Sequence, residues 1–117
     1  MRHSPLKLLS DVQMAAGAIQ RFTAGMGESD YLASEAIRRA VEREFEIVGE
    51  ALRRLSVQHP DLAGRITGAP QIIAFRNVLS HGYDAVEDSI VWSIVVKRLP
   101  TLLDEVNALM AEERSRP

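Results

Sequence analysis

Two residues that could act together on a phosphate group, Arg76 and His81, lie within one eight-residue stretch that also contains Asn77 and Tyr83. A histidine titrates near neutral pH and can serve as a general base or acid. An arginine can hold a phosphate and offset the negative charge that develops in a transition state. RNA would supply its own nucleophile, the 2′-hydroxyl group. These residue types therefore permit phosphodiester cleavage without a metal ion, and they also fit a structural or partner-facing role.

Other kinds of catalytic site have weaker support in the sequence. The absence of cysteine excludes disulfides and thiolate chemistry. There is no glycine-rich phosphate loop and no Ser-His-Asp pattern. Asp84 and Asp88 lie near His81, but two carboxylates and one imidazole of unknown geometry are weak support for a metal site. We therefore expect neither a metal ion nor a cofactor.

The composition is that of an ordinary globular protein. The 117 residues suit a single domain, placed at residues 1–117 with a polar tail at about 112–117 that frays. The net charge of −2 argues against a general nucleic-acid coat protein, which would usually be basic. No apolar run approaches the roughly 20 residues of a membrane span, and the N-terminus lacks the pattern of a signal peptide. A cytoplasmic protein with no membrane contact is the default expectation.

Apolar residues recur every three or four positions along most of the chain, which is typical of amphipathic helices. Ser4 and Pro5 suit the start of a first helix, which Gly25 ends. Ser29 and Asp30 are expected to cap a second helix. The pattern predicts an all-α fold, an antiparallel bundle of four to five helices.

The second half of the chain continues this pattern. We expect a third helix from Pro70 to Gly82 and a fourth from about Glu87 onward. Pro100 should kink this last helix, because proline lacks a backbone N–H and clashes with the preceding turn. Gly49 lies inside the second helix, where a glycine marks the close approach of a neighbouring backbone more often than flexibility.

A helical wheel divides the third helix into two faces. The apolar face, expected in the core, contains Ile72, Phe75, Val78 and Leu79. The opposite face spans an arc of about 140° and contains Arg76, Asn77, Ser80 and His81. The apolar Ile73 lies in the middle of this polar face, which suggests that the face meets another subunit.

Three sequence blocks resemble the HepT family, helical ribonucleases of the HEPN superfamily. Residues 76–83 match the family's R-x4-H-x-Y motif. Residues 40–51 resemble its second-helix signature, and Val91-Trp92 and Leu99-Pro100 resemble the V-W…L-P segment that follows. The blocks occur in the family's order and spacing, and the resemblance covers residues 6–108.

The resemblance implies an HEPN-like helical domain that forms a homodimer. The dimer would be a metal-independent endoribonuclease, cleaving mRNA or tRNA in a cleft where the motifs of two subunits meet. Arg76 and His81 match the catalytic arginine and histidine of the motif. Asn77 matches the polar residue that commonly follows the arginine and would support it.

The resemblance also implies a biological role, that of the toxin in a two-gene, type VII-like toxin–antitoxin module. The partner would be an MntA-like antitoxin, a minimal nucleotidyltransferase. It would transfer AMP to Tyr83, which matches the modified tyrosine of the family. The bulky anion would block the cleft and silence the nuclease.

Two questions stay open at the level of the sequence. Arg43 and Glu50 match the family signature, and they could form a structural ion pair or support the cleft residues from behind. The chain could instead be a non-catalytic helical subunit that binds substrate or partner for a minimal nucleotidyltransferase. Growth arrest on expression of this chain alone, relieved by co-expression of the partner, would favour the toxin.

Overall fold

The computed structural model describes residues 4–81 and 88–117, except for the side chains of residues 80–81. The described residues form seven helices and no strand: α1 (Pro5–Thr23), α2 (Glu28–Ala33), α3 (Glu35–Gln58), α4 (Pro60–Ala63), α5 (Ala69–His81), α6 (Asp88–Lys97) and α7 (Leu99–Ser115). The all-α prediction is confirmed. The seven helices exceed the four to five expected for two reasons. The short helices α2 and α4 add to the predicted set, and the last predicted helix is divided into α6 and α7. Within the described ranges, no helix is both long and apolar enough to cross a membrane.

The first helix begins and ends where the sequence predicts. Ser4 precedes it in an extended conformation, and its hydroxyl accepts a hydrogen bond of 3.2 Å from the backbone N–H of Lys7. Pro5 occupies the first turn, where the missing N–H would have no helical partner in any case. Beyond the helix, Gly25 has a φ of 76°, in the left-handed region that glycine adopts without strain.

The start of the long helix α3 differs from the prediction. Ser29 and Asp30 lie within the short helix α2, so they do not cap α3. The Asp30 carboxylate accepts a 2.8 Å hydrogen bond from the backbone N–H of Gly27, at the start of α2. The N-cap of α3 is Ser34, whose hydroxyl accepts from the backbone N–H of Ile37 over 3.2 Å. Several capping residues follow one another here, and the periodicity of apolar residues does not choose among them.

Helix α3 is the central element of the core. It packs against α1, α4 and α5, and α1 packs in turn against α7. One face of α3 is fully buried and contributes Val41, Phe45, Val48, Leu52 and Leu55. These side chains belong to one continuous apolar cluster with buried residues of α1 and α7. Any residue on the flank of α3 is therefore held on a rigid support.

A contact from α7 fixes the start of α5. Glu105 accepts two hydrogen bonds from Thr67, one of 2.9 Å from the backbone N–H and one of 2.8 Å from the hydroxyl. A carboxylate near the start of a helix also interacts favourably with the helix dipole. Gly68 follows with a φ of 73° and leads into α5, which is described as far as His81. The predicted end of this helix at Gly82 lies outside the described residues.

The kink predicted at Pro100 is a break between two helices. α6 ends at Lys97, and Pro100 lies in the first turn of α7. Proline tolerates that position because the first N–H groups of a helix have no helical acceptor. α7 then continues through Ser115, so helical structure extends into the 112–117 tail.

Leu52→Ala tests the central position of α3. Leu52 is fully buried, so we expect the substitution to lower the free energy of unfolding by about 2–5 kcal/mol through lost contacts and a cavity. Val57→Ala is the control on the same helix, because 70% of Val57 is exposed. The control should change the free energy by less than about 0.5 kcal/mol. Urea unfolding followed by circular dichroism measures both, and equal effects would contradict the assignment.

Candidate active site

Arg76 of α5 lies against α3 at the point where α3 has no side chain. A β-carbon built on Gly49 would overlap the β-carbon of Arg76 and come within 2.5 Å of its γ-carbon. Gly49 thus leaves the space that the stem of the arginine occupies. The expectation of a close approach at Gly49 is confirmed, and the approaching group is a side chain rather than a backbone.

The guanidinium group of Arg76 has three different surroundings at its three nitrogens. Nη1 donates a hydrogen bond of 3.1 Å to Oδ1 of Asn77. Nη2 lies 3.9 Å from Oε1 of Glu50. Nε is buried and has no hydrogen-bond partner among the described residues. The side chain as a whole keeps 28% of its surface exposed, so part of it remains open to a ligand.

Glu50 brings three arginines together beside this contact. Its Oε1 accepts a 2.8 Å hydrogen bond from Nε of Arg53, and its Oε2 accepts from Nη2 of Arg53 and Nε of Arg54 at 3.2 and 3.3 Å. The hydrogen bond from Arg53, aided by the positive charges of Arg53, Arg76 and Arg54, holds the pKa of Glu50 below its usual range. Burial acts in the opposite direction and is outweighed. The cluster therefore combines one ionised carboxylate with three guanidinium groups.

Only two of the four predicted residues of the motif, Arg76 and Asn77, have side chains that the structure describes. Arg76 and Asn77 are adjacent in α5 and share a hydrogen bond. His81 is the last residue of the same helix, about 7–8 Å further along its axis. Its side chain lies outside the described residues, and so does Tyr83 as a whole. The roles predicted for these two residues remain predictions.

Two predictions about the faces of α5 are wrong. Val78, expected in the core, is 41% exposed, because α5 packs chiefly on α3 and turns this side away. Arg76, expected on the outer face, has its stem against α3 because Gly49 makes room for it. Ile73 is half-buried and packs against the core of its own chain. Its apolar character therefore does not require a second subunit.

Arg43 does not join the cluster around Glu50. Its side chain is 71% exposed, and its Nη1 lies 3.6 Å from Oε2 of Glu46 on the next turn of α3. Its described contacts include neither Glu50 nor Arg76. Arg43 therefore pairs with Glu46 and not with Glu50, whereas Glu50 lies next to the arginine of the motif.

The described residues offer phosphate chemistry rather than a metal centre. Within residues 4–81 and 88–117, no three His, Asp or Glu side chains are grouped so that they could hold a metal ion. Asp88 forms an ion pair with Arg38 at 3.3 Å, and Asp84 lies outside the described residues. What the structure places together is a partly exposed guanidinium, an amide and a carboxylate. A guanidinium in such a position can bind a phosphate oxygen and stabilise added negative charge on it.

The sequence alone could not predict two contacts that position α5, that of Gly49 with Arg76 and that of Thr67 with Glu105. A glycine inside a strongly amphipathic helix was a signal of close packing, but it could not name Arg76 as the neighbour. The contact of Thr67 with Glu105, 38 residues away, has no local signal at all. Both depend on tertiary packing, which brings together residues far apart in sequence.

Comparison with known proteins places the chain in a family. The family described as Ribonuclease HepT-like matches residues 12–109. The chain belongs to the HepT-like ribonuclease family. The matched region includes Gly49, Glu50 and the whole of α5, so the resemblance seen in the sequence blocks is confirmed.

Relatives of this HepT-like chain are similar at low identity. The probable ribonuclease HepT of Thermococcus cleftensis is 28% identical over 106 residues, which cover 87% of this chain and 92% of that protein. A candidate RNase of Methanocaldococcus jannaschii is 29% identical over 100 residues, or 84% of this chain and 89% of that protein. A second protein of that organism, named as a gamma-glutamylcyclotransferase and candidate RNase, is 27% identical over 112 residues. This match covers 96% of the chain but only 50% of that protein, so the chain spans about half of its length. No solved structure matches the chain.

Gly49→Ala tests the packing of the arginine stem. Alanine normally favours a helix over glycine by about 1 kcal/mol. Here the new methyl group would overlap Arg76, so α5 or the arginine must move. We expect a net loss of about 1–3 kcal/mol in the free energy of unfolding.

Gly17→Ala is the matched control for this substitution. A methyl group there would meet only Nη1 of Arg21, at an ordinary 3.6 Å. We expect a gain of up to about 1 kcal/mol, measured by thermal or urea unfolding. A gain of similar size for Gly49→Ala would show that the close contact with Arg76 does not exist in solution.

Glu50→Gln tests the charge cluster through its pH dependence. Because folding lowers the pKa of Glu50, its ionised form stabilises the fold above the unfolded pKa. That contribution is lost as the pH falls through the folded pKa. The stability difference between wild type and Glu50→Gln should therefore be largest near neutral pH and shrink between about pH 5 and 3. Denaturant unfolding at several pH values measures it, and a constant difference would contradict the cluster.

Proposed function

We propose that this HepT-like chain is an endoribonuclease toxin whose active site is built around Arg76 and His81. The family match over residues 12–109 carries the proposal, since it includes the helix on which both residues lie. Relatives named as ribonucleases support the same activity. The placement of Arg76 adds a physical argument, because its guanidinium is anchored at one side and partly exposed at the other.

In the proposed reaction, the 2′-hydroxyl oxygen of RNA attacks the neighbouring phosphorus and the bond to the 5′-oxygen breaks. A histidine at position 81 accepts the proton of the 2′-hydroxyl, and a protonated histidine gives a proton to the leaving 5′-oxygen. Arg76 binds the non-bridging phosphate oxygens and stabilises their growing negative charge. The products are a 2′,3′-cyclic phosphate and a free 5′-hydroxyl, and no metal ion takes part.

We also propose that two copies of the chain share this site. The reaction needs a proton acceptor, a proton donor and a group that stabilises charge. The motif of one chain supplies a single histidine and a single arginine. Two copies facing each other across a two-fold axis would supply two of each. The partial exposure of Arg76 is compatible with such a cleft.

The proposed regulation concerns Tyr83, the tyrosine of the motif, which follows His81 by two residues in the sequence. A nucleotidyltransferase antitoxin of the MntA kind would transfer AMP from ATP. The tyrosine oxygen would attack the α-phosphorus of ATP, the bond to the β-phosphate would break, and pyrophosphate and the phenolic proton would be released. The added phosphate would compete with RNA for Arg76, and the nucleoside would occupy the cleft. The proposed location of the pair is the cytoplasm, where its mRNA or tRNA substrates are found.

Cleavage of RNA by the purified chain in excess EDTA tests the proposal. We expect wild type to cut a single-stranded RNA and leave 2′,3′-cyclic phosphate ends. Arg76→Ala and His81→Ala should each reduce the rate by about 100-fold or more, since each removes a group acting in the transition state. Arg39→Ala is the control, because Arg39 is an exposed arginine of α3 that pairs with Glu35 at 2.9 Å. It should leave the rate unchanged.

The state of Tyr83 must be known before a lack of cleavage is interpreted, and mass spectrometry of its peptide provides this. An unmodified wild-type chain that does not cleave RNA would overturn the nuclease. It would favour a non-catalytic subunit that binds substrate or partner for a nucleotidyltransferase. Full activity in both Arg76→Ala and His81→Ala would contradict the proposal that the active site is built around these two residues.

A further inference from the structure

We propose that Gly49 and Glu50 of α3 are positioning residues that set the direction of the Arg76 guanidinium. The proposal rests on the proposed ribonuclease function for its kinetic consequence, but its geometric content stands on the contacts themselves. Two consecutive residues of one helix contact the same arginine in two different ways. Gly49 admits its stem, and Glu50 lies next to its charged end.

The steric part of the argument concerns the freedom of the stem. The β- and γ-carbons of Arg76 occupy the volume that a side chain at position 49 would fill. Nε is buried against the same surface and donates no hydrogen bond to a described residue. Packing of the stem, rather than hydrogen bonding at Nε, therefore restrains the first part of this side chain.

The electrostatic part concerns the terminal nitrogens. Nη2 lies 3.9 Å from Glu50, beyond a direct hydrogen bond but within the range of an ion pair. Glu50 is itself fixed by two hydrogen bonds from Arg53 at 2.8 and 3.2 Å. A carboxylate held this firmly offers a defined point of attraction for Arg76. On the other side, Asn77 accepts a hydrogen bond from Nη1 and limits rotation of the group.

This arrangement orients Arg76 without using up its donors. A bidentate pair with Glu50 would occupy the same edge of the guanidinium that recognises a phosphate. Here Arg53 makes the close contacts with Glu50, so the N–H groups of Nη2 form no described hydrogen bond of their own. The positioned arginine can therefore donate to a phosphate oxygen without first leaving a tight partner.

Steady-state cleavage of an RNA oligonucleotide by Glu50→Gln is the kinetic test. Glutamine keeps the size of the side chain and removes its charge. We expect kcat to fall by about 10- to 100-fold with little change in KM, because a misdirected guanidinium loses contacts made in the transition state. Glu50→Asp retains the charge and should recover part of the lost kcat.

Glu46→Gln is the matched control. Glu46 is a carboxylate on the same helix, one turn earlier, and its side chain is 33% exposed against 29% for Glu50. It pairs with Arg43 and has no described contact with Arg76. We expect wild-type kcat and KM for this variant. A loss of kcat equal to that of Glu50→Gln would show a general effect of charge on α3 and overturn the positioning role.

The NMR signal of the Arg76 Nε–Hε group gives a readout that needs no activity. This signal is assigned to Arg76 because it is missing from the spectrum of the Arg76→Lys variant. In wild type we expect slow exchange with solvent, because Nε is buried. Exchange should become faster in Glu50→Gln, because a guanidinium that is no longer attracted by a carboxylate at position 50 turns away and exposes the adjoining Nε to solvent. It should stay slow in Glu46→Gln.

The two readouts separate the failure of the positioning proposal from the failure of the proposed function. If wild type with unmodified Tyr83 does not cleave RNA, the ribonuclease proposal fails, and loss of Nε–Hε protection in Glu50→Gln still supports positioning. If wild type cleaves RNA while Glu50→Gln has unchanged kcat and unchanged protection, positioning is overturned and the nuclease stands. A lower KM with unchanged kcat in Glu50→Gln would mean that Glu50 repels RNA. That result would also overturn the positioning role.

Discussion

The candidate site depends on the lack of a side chain at one position of α3. Gly49 lets the stem of Arg76 lie directly on the central helix, in space that a β-carbon would occupy. Without that contact, α5 would have to lie further from α3 or Arg76 would have to adopt another rotamer. The glycine is costly in a helix interior, and the packing of α5 on α3 offsets that cost. The arrangement of the guanidinium, Asn77 and Glu50 follows from this approach.

A second constraint is that α3 has to be rigid where the stem of Arg76, a residue of α5, packs on it. Val48 and Leu52, on either side of Gly49 and Glu50 in sequence, are fully buried in the core. The polar residues of the same stretch therefore stand on a surface whose backbone is fixed by apolar packing. α5 is placed at its other end by the hydrogen bonds between Thr67 and Glu105 of α7. Groups that act on a reacting phosphate need this kind of support, because small displacements cost much of their effect.

How far the sequence predicts the molecule depends on the range of the interaction involved. Ser4 and Pro5 act within their own helical turn, and the helix start that they predict agrees with the structure. The sequence predicts that Pro100 kinks one helix, and it lies instead in the first turn of a separate helix, α7. The predicted cap of α3 is wrong, because three polar residues that can cap a helix lie close together and Ser34, not Ser29 or Asp30, takes the position. A helical wheel divides the faces of α5 by polarity alone, and polarity assigns an arginine to the solvent side. A long side chain can bury its stem and keep its charged end accessible, and Arg76 does both.

The presence of a carboxylate beside an arginine proposed to bind phosphate requires a balance of charges. A lone Glu50 next to Arg76 would repel the RNA backbone and compete with it for the guanidinium. In this cluster Arg53 and Arg54 also contact the carboxylate, so its negative charge is shared among three cations. The remaining attraction on Arg76 acts over 3.9 Å, enough to orient the group and too far for a direct hydrogen bond. In the proposed positioning role of Glu50, Arg53 and Arg54 would act without touching substrate, because their contacts with Glu50 keep that carboxylate from becoming a tight partner of Arg76.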